Sequence, residues 1–142
     1  MSSISQNRSM PRATIIPELA YADVREAADW LCRCFGFVER LRIADHRAQL
    51  VFGEGAVIVV GYRGDPDTAP TGHSIMVRVA DVDSHYEHAK LSGVRILAPP
   101  NDFPYGERQY GAQDLGGHCW TFSQTIADVD PASWGGVLFE AS

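Results

Sequence analysis

Apolar positions follow two periods along this chain, and the periods alternate in the same order twice. Residues 15–21 read as extended. Asp23 then sets a helix N-cap, with Glu26 at capping-box spacing. Ala27, Trp30, Leu31, Cys34 and Phe35 recur at helical intervals until Gly36 stops the helix. Three strand-like stretches follow, 37–44, 48–53 and 56–62, the last two flanking Glu54-Gly55 as a hairpin turn. Residues 63–72, RGDPDTAPTG, have the composition of a linker. The order then restarts. Residues 73–80 are extended, Asp81 caps a helix to about Leu91, and Gly93 ends it. Residues 94–97 form a strand, and Pro99 to Pro104 are expected to be irregular. Stretches 108–113 and 118–124 flank a turn at Asp114-Leu-Gly-Gly117.

The duplication is visible in residues as well. Ala22-Asp23-Val24 recurs as Ala80-Asp81-Val82, Gly36-Phe37 corresponds to Gly93-Val94, and Gly55 and Gly117 each precede a final apolar strand. Two copies are too few for a solenoid, so the pattern predicts one pseudo-symmetric α+β domain. Module one covers 13–62, the linker 63–72 and module two 73–124. A polar tail at 1–12 is expected to fray, and 125–142 is an extension whose role the sequence leaves open.

Composition narrows the function classes. An apolar share of 45% suits a packed core, and no apolar run approaches the roughly 18–20 residues that cross a bilayer. The net charge of −6, with one lysine among twelve basic residues, argues against nucleic acid. With no apolar leader, the expected location is cytoplasmic. Cys32, Cys34 and Cys119 are expected to be reduced packing residues. The first two lie two apart on a helix and point in different directions.

Several stretches carry a resemblance. Pro17-Glu-Leu-Ala-Tyr-Ala-Asp-Val24 leading to Cys34-Phe-Gly-Phe37, and Val79-Ala-Asp-Val-Asp83 leading to Ser92-Gly-Val94, resemble the two modules of the vicinal-oxygen-chelate superfamily. This group includes glyoxalase I, extradiol dioxygenases, and fosfomycin- and bleomycin-resistance proteins. Tyr105-Gly-Glu-Arg-Gln-Tyr-Gly111 and Asp114-Leu-Gly-Gly-His-Cys-Trp-Thr-Phe122 resemble the closing hairpin of the bleomycin-resistance-like branch, with Leu115 a small departure from its usual turn. The resemblance spans about residues 14–124. It implies two tandem βαβββ modules whose strands form a cupped mixed sheet with helices outside, and a homodimer.

Metal-dependent members place ligands in the first and last strand of each module, as His or Gln, Glu, His and Glu. Counting from the repeat markers puts these positions at Ile16, Val59, Ser74 and Thr121, none of which is a normal donor. No metal cofactor is therefore expected. His73 sits one residue from the third position and reaches it only with a slip or bulge.

Strand alternation supplies a second, independent line. Leu19 and Tyr21, then Ile75, Val77 and Val79, then Trp120 and Phe122, form apolar faces suited to cover the helices. Glu18, Ser74, Met76, Arg78 and Thr121 therefore face the implied cavity. Glu18 and Arg78 are expected near each other there, as a closing salt bridge or as ligand contacts. Tyr105, Arg108 and Tyr110 surround the stretch that borders the pocket in the related branch, and suit a flat or anionic organic ligand. Two classes of function stay open. One is a metal-free protein binding a small organic molecule in a dimeric cavity. The other is an enzyme of the glyoxalase/dioxygenase superfamily, of lyase, isomerase or dioxygenase type.

Overall fold

The structure, a computed structural model, describes residues 6–62 and 73–138. The expected linker, 63–72, lies outside the described residues. The chain divides into two compact units, the first ending at Thr71 and the second starting at Gly72.

In the first unit Asp23 Oδ1 accepts the Glu26 N–H at 3.0 Å and so begins α1, Val24–Phe35. Gly36, at φ 89°, ends it by donating its N–H to the Cys32 carbonyl. That left-handed backbone is open to glycine without strain. Ala27, Ala28, Leu31, Cys34 and Phe35 form one buried stripe. The four strands are β1 (Glu18–Tyr21), β2 (Val38–Ile43), β3 (Arg47–Phe52) and β4 (Gly55–Gly61). They lie in the order β1-β4-β3-β2, with β1 parallel to β4 and the other pairs antiparallel. The helix packs on the face carrying Leu19, Tyr21, Leu50, Val57 and Val59, all buried. Truncating a residue such as Leu31 in this layer costs about 2–5 kcal/mol.

The second unit repeats the plan. Asp81 accepts from the Ser84 N–H and hydroxyl and begins α2, Val82–Leu91. Strands β5 (Ile75–Arg78), β6 (Arg95–Phe103), β7 (Glu107–Gln113) and β8 (Cys119–Thr125) lie in the matching order β5-β8-β7-β6. Tyr110, Ala112, Trp120 and Phe122 are buried on the face that α2 covers. A short 3-10 turn, Pro131–Trp134, follows. The architecture is thus α+β, with two βαβββ modules each pairing a four-stranded mixed sheet with one helix. No helix among the described residues is long and apolar enough to cross a membrane.

Two elements differ from the sequence expectation. The first hairpin turns at Gly53-Glu54, because Gly55 already pairs with Phe52 inside the ladder. The stretch around Pro99 and Pro100 is not irregular but runs through the middle of β6. Proline is tolerated there because β6 is an edge strand, and its register to β7 shifts between Ile96 and Ala98 and again between Ala98 and Asn101.

Candidate functional site

Each sheet presents its helix-free face through alternate residues. In the first unit this face carries Glu18, Ala20, Gln49 and Ile58, since Glu18 pairs with Ile58 and Ile58 with Gln49. Val59, counted above as a metal-ligand position, instead pairs with buried Leu19 and faces α1. The count failed because the two marker glycines are not equivalent. Gly55 lies inside β4, whereas Gly117 lies in the loop before β8. The correctly placed residue is Ile58, which also lacks a donor atom.

The residues implied as metal ligands therefore do not fit a divalent ion. Ile16, Ile58, Ser74 and Thr121 offer neither carboxylate nor imidazole. His73 does find a partner, with its Nε2 3.3 Å from His118 Nδ1. Among the described residues no three His, Cys, Asp or Glu side chains converge.

The first unit's face is partly occupied by its own chain. Arg8 and Ser9 lie in the stretch expected to fray. Their carbonyls accept from Arg40 Nη2 and Gln49 Nε2, each at 2.8 Å. Arg40 Nη1 also donates to Gln49 Oε1 at 2.6 Å, and Gln49 is buried. Glu18 remains more exposed and meets Arg47 Nη2 at 3.5 Å.

The helix-free face of the second unit carries a continuous polar network. Register sets Met76 beside Thr121 and Arg78 beside Ser123, with Gln109 on the far side of Ser123. Arg78 Nη2 donates to Thr125 Oγ1 at 3.0 Å, and Ser123 Oγ donates to Glu107 Oε1 at 2.6 Å. Gln109 Nε2 donates to Ser123 Oγ at 3.0 Å, and Tyr105 Oη donates to Gln109 Oε1 at 3.1 Å. Bonds from Ser123 and then Thr125 hold the Glu107 carboxyl below its ordinary range, aided by the nearby Arg78 charge. Ser123 is only 1% exposed, so this polar pair is built into the sheet rather than displayed on it.

Beside the network lies a depression of about 400 Å³, lined by Pro99, Pro100, Phe103, Gln109, Gly111 and Thr121 among others. That volume is within the range of about 300–1,000 Å³ common for small-molecule sites. The structure thus brings Met76, Arg78, Tyr105 and Thr121 to one face, and Ser74 immediately precedes β5.

Arg108 is not brought there. It shares the helix-side face with Tyr110 and ties Asp102 to Asp83, through Nε at 2.6 Å and Nη1 at 3.0 Å. Tyr110 sits under α2 against His85 and Tyr86, and burial holds its phenol well above the ordinary range. Alternation from Tyr110 was the signal that separates Arg108 from Glu107 and Gln109. Those last two residues and Ser123 are the contributors that sequence reasoning passed over.

The family profile of the Glyoxalase/Bleomycin resistance protein/Dioxygenase superfamily matches residues 14–122, and the chain belongs to that superfamily. TioX from Micromonospora sp. ML1 is similar at 38% identity and a TM-score of 0.68, covering 79% of this chain and 98% of its own. Two more distant structures share the fold. A glyoxalase/bleomycin resistance protein/dioxygenase from Alicyclobacillus acidocaldarius has 16% identity and a TM-score of 0.65, covering 83% of this chain and 95% of its own. Lactoylglutathione lyase from Agrobacterium tumefaciens has 15% identity and a TM-score of 0.64, covering 88% and 98%. No curated protein matches the chain significantly.

Proposed function

We propose that this chain binds a small organic molecule on the helix-free face of its second module, without a metal, and as a homodimer. The carrying observation is the network from Arg78 through Thr125, Glu107, Ser123 and Gln109 to Tyr105, set beside an apolar depression. Such an arrangement supplies one cation, one carboxylate and neutral donors and acceptors at the edge of a proline- and aromatic-lined hollow, the usual chemistry of a small-molecule site. The donor-poor set Ile16, Ile58, Ser74 and Thr121 supports the metal-free reading. Binding is favoured over acid–base catalysis because the Ser123 hydroxyl already occupies Glu107 Oε1, at 2.6 Å. Exposed Val38, Ile43 and Met76 on the helix-free faces support a partner subunit.

The test uses a bicyclic probe, 2-naphthamide, which has an apolar plane with a donor and an acceptor on one edge. Millimolar probe should raise the melting temperature of the parent and leave Arg78→Ala unshifted, with both proteins melting alike when unliganded. An equal shift in both proteins, or none in the parent, removes the assignment of this face.

A further inference from the structure

The segment after β8 lies beyond the region matched to the superfamily, which ends at residue 122, yet it is bound to the turn that joins β6 to β7. Ile126 and Ala127 both donate their backbone N–H to the Gly106 carbonyl, at 2.9 and 3.3 Å. Gly106 has φ +85°, and a Cβ at this position would overlap the Ala127 carbonyl oxygen. The two stretches of chain therefore approach at a distance that only glycine permits. Asp130 then caps the short 3-10 turn, with Oδ1 accepting the Ala132 N–H at 3.1 Å and its carbonyl accepting the Ser133 hydroxyl at 2.8 Å.

These anchors place an aromatic row. Trp134 meets Tyr105 edge-on, with centroids 5.5 Å apart and planes at 61°. Tyr105 stacks on Phe103 at 5.5 Å and 14°, and Phe103 lines the depression together with Pro99 and Pro100 of the same strand. Trp134 and Phe103 are nevertheless 46% and 36% exposed. Held rings with free faces beside a hollow offer stacking area at little cost in ordering.

We propose that the segment from Ile126 to Trp134 is a fixed outer wall of this site, and that Trp134 makes the site selective for planar aromatic ligands. The inference rests on the reading above that this face binds a small organic molecule. A flat ring gains offset or edge contacts from Trp134, Tyr105 and Phe103, while its polar edge reaches Gln109, Glu107 and Arg78. A saturated ring of the same size has no π face to offer those contacts. Each aromatic contact changes affinity severalfold, up to about tenfold.

Calorimetric titration of the full chain with 2-naphthamide and with trans-decalin-2-carboxamide tests this. The parent should bind the planar amide about tenfold more tightly than the saturated one. Trp134→Ala should bring the two within about twofold by weakening only the planar ligand, and Trp134→Phe should keep most of the preference. Trp134 fluorescence in the parent, isolated by difference from Trp134→Phe, should be shielded from acrylamide by the planar amide. A preference unchanged in Trp134→Ala, or no shielding, overturns the wall while leaving the binding face intact if Arg78→Ala still loses both ligands. Failure of the parent to bind either amide, or parent-like binding by Arg78→Ala, overturns the reading of the face and the wall with it.

Discussion

Ser123 donates its hydroxyl to Glu107 Oε1 at 2.6 Å, diagonally across β8 and β7, while its oxygen accepts from Gln109 at 3.0 Å. One nearly buried hydroxyl thus orients both the carboxylate and the amide of the proposed site. Ser123→Ala leaves both partners without it. The expected cost is about 1–3 kcal/mol. Because Ser123 is the largest influence holding Glu107 low, the carboxyl should titrate closer to its ordinary range. Carbon-13 NMR of the Glu107 carboxyl checks this, and an unmoved titration would show that the hydroxyl does not set it.

Glu39 ties β2 to α1. Arg25 donates to both of its oxygens, at 2.8 and 2.6 Å, and Arg42 adds two more bonds, at 3.3 and 3.1 Å. Arg25 first and Arg42 next hold the carboxyl at about 2, against 4.5 unperturbed. A carboxyl depressed in the folded state adds stability above the unfolded value and loses it as pH falls through the folded one. The parent should therefore lose stability between about pH 4.5 and 2 more steeply than Glu39→Gln. Parallel acid curves for the two proteins would contradict the pairing.

Gly106→Ala forces a side chain into the Ala127 carbonyl from a left-handed backbone. It should cost about 1–3 kcal/mol and raise the acrylamide accessibility of Trp134. A variant as stable as the parent, with unchanged quenching, would mean that the C-terminal segment is not held at this point.

Much of the frame was legible from local chemistry. Asp23 and Asp81 cap their helices as their spacing implied, and Leu19, Tyr21, Trp120 and Phe122 bury on the faces that alternation assigned them. What escaped depends on neighbours distant in the sequence. Whether Pro99 and Pro100 break a strand depends on their strand lying at an edge. Ile58 and Val59 exchange roles because two similar glycines occupy different parts of their hairpins. Trp134 carries no periodic signal, since its place comes from the Gly106 and Asp130 anchors.

The proposed dimer rests on apolar residues left exposed on the helix-free faces. Light scattering at micromolar concentration should give twice the chain mass of 15.6 kDa. A monomer at that concentration would remove the partner from the proposal.

The central claim is that the second module's helix-free face binds a small organic molecule without a metal. The most direct measurement is amide chemical-shift mapping of 2-naphthamide binding, with excess chelator present. The expected perturbations fall on Met76, Arg78, Gln109, Thr121 and Ser123, and spare the helix-side group Asp83, Asp102 and Arg108. Perturbations confined to the helix side, or binding that vanishes with the chelator, would contradict it.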